Sequence, residues 1–220
     1  MQMIEINNAH VVYQGTKSFH LDFCLTINNN DFCLFVGRNG CGKTTLFDIL
    51  IGYKALAKGL YDIKSSSKMV AYCVQDYNGG LFPWFSILDN ILLPSKLANK
   101  EISETQEYAT SLLEKFNLFN RKNDYPYTLS GGQKQVVNFI RTLCTPSDIL
   151  LFDEPFSSLH NNFSMIAKDV IEEVAGKKTI LIISHDIDVL DLSFNRHFIF
   201  KDNSILESDQ ENVKKFFYEK

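Results

Sequence analysis

The first part of the chain alternates apolar and polar residues with a period of two. Alternating apolar residues stand at Leu21, Phe23, Leu25 and Ile27. This pattern predicts strands of an antiparallel sheet with one covered face, preceded by shorter strands at residues 3–6 and 11–13. Residues 32–36 form a continuous apolar run, which is typical of a strand buried in a parallel sheet. A helix is predicted over residues 44–51.

The spacing becomes helical between residues 76 and 142. Apolar residues there recur at Ile87, Ile91, Leu92, Ala109, Leu112, Leu113 and Phe116. An apolar run at residues 69–74 precedes this segment. Apolar runs return at residues 149–152 and 179–183, which favours the βα alternation of a parallel sheet. A hairpin over residues 198–207 and a short helix follow. The pattern predicts one α/β domain with an inserted helical segment.

Composition and charge narrow the classes of protein. The 220 residues carry a formal net charge of −4 and show no basic stripe, which argues against a nucleic-acid partner. We recognise no secretion signal and no apolar run of about 18 residues that could span a membrane. We therefore expect a cytoplasmic chain whose membrane role requires a partner. Five cysteines without a CxxC pair are expected to be reduced, with Cys24 and Cys33 buried.

Residues 37–45 read GRNGCGKTT between a predicted buried strand and a predicted helix. This matches the phosphate-binding P-loop pattern, in which glycines let successive amides point at phosphate and the helix N-terminus adds positive charge. Lys43 would contact the β and γ phosphates, and the Thr44 hydroxyl would bind Mg²⁺. The alternative is a merely structural glycine-rich turn. The ATP-binding candidates are Gly37, Arg38, Asn39, Gly40, Cys41, Gly42, Lys43, Thr44 and Thr45.

A second motif, LSGGQ, occupies residues 129–133 at the head of a predicted helix. Ser130 is placed to cap that helix, and Gly131 and Gly132 leave its amides open to a bound anion. Taken alone, the motif is more typical of an ordinary loop. Together with the P-loop, it makes Ser130, Gly131, Gly132 and Gln133 candidates for nucleotide contact.

The run ILLFDEP at residues 149–155 ends a predicted buried strand with two acids. Ligands of open α/β sheets bind at the carboxyl ends of strands. Asp153 would therefore hold Mg²⁺, and Glu154 would orient or deprotonate the attacking water. A solvated turn is the alternative.

The order GRNGCGKTT, LSGGQ, LFDEP and ISHD resembles the nucleotide-binding subunits of ATP-binding cassette (ABC) transporters over almost the whole chain. The resemblance implies a P-loop NTPase core with a mostly parallel sheet, an N-terminal antiparallel β subdomain and an inserted helical subdomain. The core would comprise residues 1–75 and 143–220, and the helical subdomain residues 76–142. It further implies that Tyr13 stacks on adenine, that Gln75 contacts Mg²⁺ and the attacking water, and that His185 contacts the γ phosphate.

The resemblance also implies partners. In the family, LSGGQ of one subunit covers ATP held by the P-loop of another, so a homodimer or a paired ABC subunit is expected. An integral membrane permease and a solute-binding protein would complete an importer, with this chain peripheral at the cytoplasmic face. The segment GLFPWFSILDNILLP at residues 80–94 is similar to ATPases of nitrate, sulfonate and taurine importers. Trp84 and Phe85 could equally serve a permease-docking groove or core packing.

Three positions depart from the family pattern. His160 stands where an aspartate is usual, Val136 where an arginine is usual, and Cys41 where serine or alanine is common. Two alternatives to an import ATPase remain open, and His160 and Val136 motivate the second of them. One is a cassette of a non-import complex, in lipid handling, export or envelope regulation, and the other is a weakly hydrolysing nucleotide-gated module.

Overall fold

The computed structural model describes residues 2–13, 19–65, 69–75 and 80–219, and the side chains of Tyr13, Phe19 and Asn161 lie outside the description. Within these ranges there are nine strands in two sheets, six α-helices and three short 3₁₀-helices. The chain has the α/β fold that the sequence predicts, with a mixed and mostly parallel main sheet. None of the described helices has both the length and the apolar character needed to cross a membrane.

The smaller sheet is antiparallel and has the order β2-β1-β4. Its strands are β1 (Gln2–Tyr13), β2 (Phe19–Asn28) and β4 (Lys58–Ile63). The two short strands expected at residues 3–6 and 11–13 are one strand with irregular register near residues 2–4 and 6–9. Cys24 is exposed, so its predicted burial was wrong. It alternates with the apolar residues of β2 and therefore lies on the polar face of that strand. Cys33 is buried, as predicted.

The larger sheet has the order β5-β6-β7-β3-β8-β9, and only β9 runs antiparallel to its neighbour. Its strands are β3 (Phe32–Gly37), β5 (Val70–Cys73), β6 (Ile149–Asp153), β7 (Thr179–Ile183), β8 (Arg196–Lys201) and β9 (Ser204–Ser208). The adjacent strands β6, β7 and β3 bring the ends of three apolar runs to one edge of the sheet. That edge is where ligands bind in open α/β sheets.

Each central strand is covered on both faces, which explains its unbroken apolar sequence. In β3, Leu34 packs in one hydrophobic cluster with the helices, while Phe35 packs in a second cluster with β1, β2 and α1. The helices are α1 (Lys43–Leu50), α2 (Ile87–Leu97), α3 (Ile102–Lys115), α4 (Gly131–Cys144), α5 (Asn161–Val174) and α6 (Gln210–Tyr218), with 3₁₀-helices at Phe119–Arg121, Pro126–Thr128 and Ile187–Asp191. Helices α2, α3 and α4 lie between β5 and β6 in sequence and contact one another.

Candidate nucleotide-binding site

The P-loop joins the carboxyl end of β3 to the N-terminus of α1. Gly40 and Gly42 have φ of 78° and 102°, a region that residues with a side chain rarely adopt, and Gly42 caps α1. At Gly37, an added Cβ would lie 2.5 Å from Cys41 Sγ and 2.8 Å from Phe200 Cβ. The loop conformation therefore depends on glycine for two reasons, backbone dihedral angles and close packing.

Lys43 is buried, and its ammonium is held over the loop. Its Nζ donates hydrogen bonds to the carbonyl oxygens of Gly37, at 2.8 Å, and Arg38, at 3.2 Å. The α1 N-terminus supplies further positive potential at the same place. This end of the sheet is thus prepared for an anion such as a phosphate.

Asp153 ends β6 and is only 2% exposed. Its Oδ2 accepts hydrogen bonds from Thr44 Oγ1, at 2.9 Å, and from Tyr72 Oη, at 3.4 Å. Burial is the main cause that raises the pKa of Asp153, and the nearby Glu154 raises it further. Burial also raises the pKa of Tyr72, so this phenol remains a donor. A buried carboxylate beside a hydroxyl offers the hard oxygen ligands that Mg²⁺ prefers, so the residues present fit that ion.

Glu154 follows directly and adopts φ of 52°, which is unusual for a residue with a side chain. Its backbone N–H donates to Ile183 O at 3.0 Å, which ties it to the end of β7. His185 Nδ1 lies 2.7 Å from Glu154 Oε1, and the His185 backbone N–H donates to Oε2 at 3.2 Å. The carboxylate is 6% exposed, and it is held by two contacts from a neighbouring strand end.

These groups surround one cavity of about 600 Å³. It is lined by Asn39, Gly40, Gly42, Lys43, Thr44, Thr45, Asp48, Gln75, Asp153, Glu154 and His185. All but Asp48 were proposed from sequence. Asp48 reaches the cavity from α1, where no motif marks it, and burial raises its pKa. Tyr72 was missed as well, because its link to Asp153 arises only from strand pairing.

Three P-loop candidates, Gly37, Arg38 and Cys41, do not line this cavity. Arg38 and Cys41 line a separate cleft of about 420 Å³ with the β8–β9 turn and α6. Gly37 packs against Phe200 behind the loop. Tyr13 pairs with Phe19 at the end of β1, but its side chain is outside the described part of the chain, so stacking on adenine stays a prediction.

The LSGGQ residues form the start of α4 and do not line the 600 Å³ cavity in the described structure. Ser130 caps the helix as the sequence predicts, and Gln133 completes a reciprocal capping box with it. Arg121 Nη1 also donates to Gln133 Oε1 at 3.1 Å. The motif is therefore a capped helix start that does not line the cavity of its own chain.

An aromatic loop precedes α2 and comprises Phe82, Trp84 and Phe85, whose ring centroids lie 5.5–6.3 Å apart. Trp84 is 67% exposed, so core packing was the wrong alternative for this residue, whereas Phe85 is half-buried. The buried side chain of Asn90 forms hydrogen bonds to the backbone of this loop. It accepts from the Phe82 N–H and donates to three carbonyl oxygens, including that of Phe82.

The departures from the family pattern differ in their surroundings. Val136 lies on α4 and is fully buried in the core, where it contributes packing. His160 is exposed at the start of α5 and makes no side-chain capping hydrogen bond. Neither residue lines the 600 Å³ cavity.

Comparison with known proteins identifies the class. The model of the ABC transporter family matches residues 21–157, a range that contains the P-loop, LSGGQ and the two acids at the end of β6. The chain belongs to the ABC transporter family and is one of its ATP-binding, ATP-hydrolysing subunits.

Relatives include several import subunits. The chain is 33% identical to the aliphatic sulfonates import ATP-binding protein SsuB of Corynebacterium glutamicum, covering 79% of this chain and 70% of SsuB. It is 30% identical to the taurine import ATP-binding protein TauB of Shigella dysenteriae, covering 84% and 74%. The solved dimeric post-hydrolysis structure of the ATP-binding cassette MJ0796 bound to ADP and Pi has a TM-score of 0.82 at 24% identity, covering 94% of this chain and 98% of that one. This last likeness supports the fold.

Proposed function

We propose that this chain powers the import of a small solute by hydrolysing ATP in a head-to-tail dimer bound to a membrane permease. The observation that supports it most is the cavity shared by Lys43, Asp153, Glu154 and His185, with the LSGGQ helix start outside it. Import is supported by the names of two relatives, which are import proteins for aliphatic sulfonates and for taurine.

The proposed chemistry follows from the groups around the cavity. Lys43 and the P-loop amides bind the β and γ phosphates, which are the charged part of ATP. Glu154 orients the attacking water and accepts its proton, because it is a buried carboxylate that lines the cavity and is held by His185. His185 contacts the γ phosphate, and Gln75 contacts the attacking water. Mg²⁺, held by Thr44, Asp153 and Gln75, would neutralise charge on the phosphates.

The proposed dimer follows from the position of LSGGQ, which lies outside the cavity of its own chain. The start of α4 carries Gly131 and Gly132 and is capped by its own Ser130 and Gln133. A helix start binds anions, and the nucleotide of a second subunit supplies one. Residues 76–142 would then act as a helical subdomain that closes relative to a core of residues 1–75 and 143–220.

The proposed permease contact is the aromatic loop. Phe82 and Trp84 are exposed, Asn90 holds the backbone of the loop at Phe82 and Phe85, and exposed aromatic residues are favoured at protein interfaces. The loop lies seven to ten residues beyond Gln75 in sequence. The permease, a solute-binding protein and the cytoplasmic face of the membrane complete the proposed setting.

The test of the dimer uses Glu154→Gln, which removes the base but keeps the shape of the side chain. With Mg-ATP, light scattering should give twice the monomer mass, and turnover should fall by at least about 100-fold. Adding Gly131→Asp is the matched control. Aspartate favours a helix start but repels phosphate, so the double variant should stay monomeric. A monomer in both cases contradicts the dimer.

The test of import is the set of proteins that copurify with the tagged chain from its native membrane. A polytopic permease together with a solute-binding protein supports import. A membrane partner that has no solute pathway contradicts it and favours a non-import complex.

A further inference from the structure

The segment that carries Gln75 begins where β5 ends. Val74 and Gln75 follow Cys73, and the description of the chain resumes at Gly80. Gln75 is exposed and lines the 600 Å³ cavity. Its proposed role requires a fixed position, because water orientation depends on the geometry of the group that contacts it. The backbone on either side therefore has to be held by something else.

Two polar residues of α4 reach both ends of this segment. Asn138 and Arg141 are three residues apart and so lie on one face of the helix. Arg141 Nη1 donates to the carbonyl oxygen of Gly80, and Nη2 donates to Asn138 Oδ1 at 2.7 Å. Asn138 Nδ2 in turn donates to Val74 O at 3.4 Å and to Cys73 Sγ at 3.5 Å. The pair therefore bridges the segment before and after Gln75.

The surroundings of Asn138 and Arg141 favour the hydrogen bonds that these residues make. Asn138 is fully buried, and Arg141 is half-buried. Burial raises the pKa of Cys73 to about 12, so its thiol remains neutral and accepts without adding charge. Asn138 also fits tightly against the chain at Gly80, where an added Cβ would lie 3.4 Å from Asn138 Oδ1. Polar groups buried this deeply are costly to leave unpaired, which favours retention of the contacts.

The helix connects this bridge to LSGGQ. Asn138 stands eight residues after Ser130 in the same α-helix, which corresponds to about 12 Å along its axis. A helix moves as a rigid element over that distance. A displacement of the LSGGQ end would therefore be felt at Val74 and Gly80.

We propose that Asn138 and Arg141 are positioning residues that fix Gln75 in the catalytic cavity and make its placement depend on the LSGGQ helix. This inference rests on the proposed role of Gln75 in hydrolysis. Neither residue lines the cavity, so both act through the backbone around Gln75. Their loss lowers the rate of the chemical step and spares ATP binding, which depends on the P-loop.

The experiment measures steady-state hydrolysis of Mg-ATP by the full purified chain. The variants are Asn138→Ala, Arg141→Lys, Gln75→Ala and the double variant Gln75→Ala with Arg141→Lys. Lysine keeps the charge but lacks the fork that spans Gly80 and Asn138. We expect kcat to fall by about 10-fold or more in each single variant, with KM for ATP within about twofold. The double variant should be no slower than Gln75→Ala, because both changes remove one function.

Ser95→Ala is the matched control. Ser95 is fully buried and donates to Cys144 O at the far end of α4, so its loss perturbs the same helix without touching the Gln75 segment. Its kcat should stay at the wild-type value. Binding of a fluorescent ATP analogue checks that each variant is folded. If Asn138→Ala does not fold, Arg141→Lys decides the outcome.

Two results separate the possible failures. If the losses of Gln75→Ala and Arg141→Lys multiply, or if Ser95→Ala slows hydrolysis equally, the positioning role is overturned while the role of Gln75 stands. If Gln75→Ala retains wild-type kcat, the proposed role of Gln75 is wrong, and the positioning role is overturned with it.

Discussion

His185 and Glu154 are joined by two contacts from one residue. The imidazole Nδ1 lies 2.7 Å from Oε1, and the backbone N–H of His185 donates to Oε2 at 3.2 Å. The carboxylate is buried, whereas the imidazole is half exposed towards the cavity. Both oxygens of the proposed base are thus oriented by the residue that follows Ser184 after β7. The backbone contact does not depend on the imidazole, so it remains when alanine or glutamine replaces His185.

We expect His185→Ala to lower kcat by about 10- to 100-fold with little change in the affinity for ATP. The side-chain contact to Glu154 and the proposed contact to the γ phosphate disappear, while the P-loop is untouched. The measurement is kcat against nucleotide affinity. His185→Gln, which keeps a donor near Glu154, should lose less. Hydrolysis within about twofold of wild type in His185→Ala contradicts a role for the side chain.

Trp84→Ala should separate partner coupling from folding. Trp84 is 67% exposed, so its removal should change the free energy of unfolding by less than about 0.5 kcal/mol and leave hydrolysis by the isolated chain unchanged. Capture of the permease from detergent extracts should fall, because a central exposed aromatic residue is lost from the interface.

Tyr127→Ala is the control for Trp84. Tyr127 is also strongly exposed, stacks on Tyr125, and lies outside the aromatic loop. Its replacement should leave permease capture intact. Equal capture by Trp84→Ala and wild type would contradict docking at the aromatic loop.

The central sheet could be predicted because burial on both faces leaves a direct trace in the sequence. The apolar runs at residues 32–36, 149–152 and 179–183 became β3, β6 and β7. The edge strand β4 was not predicted, because it is almost entirely exposed and contains Gly59. Its pairing with β1 is decided by tertiary contact, which leaves no periodic pattern.

The candidate site also contains both residues that could be predicted from the sequence and residues that could not. Asp153, Glu154 and His185 follow buried strands, and parallel strands bring their carboxyl ends to one edge, so their proximity could be anticipated. Asp48 and Tyr72 reach the site from a helix and a neighbouring strand without any motif. The link from Arg141 to Gly80 joins residues 61 positions apart, and only the folded chain reveals it.

Modification of Cys41 should block ATP binding. The thiol is half-buried within the P-loop and lies 4.0 Å from Lys43 Nζ. Cys41 Sγ packs against Gly37 and lines the separate 420 Å³ cleft, so a maleimide added there would displace the loop that holds phosphate, and bound ATP should protect the thiol. We expect at least about a 10-fold loss of ATP affinity, measured on protein whose labelling is followed by mass spectrometry.

The background for this experiment is Cys24→Ser, because Cys24 is exposed and would also react. Burial raises the pKa values of Cys33, Cys73 and Cys144, so these thiols should react slowly. Cys41→Ala in the same background should bind ATP normally and resist the reagent. Unchanged ATP affinity after complete labelling of Cys41 contradicts the prediction.

Arg196 on β8 forms hydrogen bonds to β2 of the smaller sheet, to the turn before β3 and to β9. It donates to Thr26 O, to Asp31 Oδ2 at 3.0 Å, and through two nitrogens to both oxygens of Glu207 at 2.7 Å. Asp31 is buried, so removing the guanidinium leaves a carboxylate without its charged partner. We expect Arg196→Met to lower the free energy of unfolding by about 2–3 kcal/mol, measured by urea denaturation.

The pair with Glu207 should also give a pH-dependent stability. Hydrogen bonding to Arg196 lowers the pKa of Glu207 in the folded state, whereas Arg196 stays charged throughout. The contribution is therefore complete above the ordinary glutamate pKa near 4.5 and is lost as the pH falls through the lowered folded value. Glu207 is 53% exposed, so solvent screening should limit the contribution to less than about 1 kcal/mol.

The difference in unfolding free energy between wild type and Glu207→Gln should be largest at neutral pH and shrink below about pH 4.5. Glu114→Gln, at an exposed position on α3, is the control and should show no such trend. A difference that grows on acidification would contradict the ion pair.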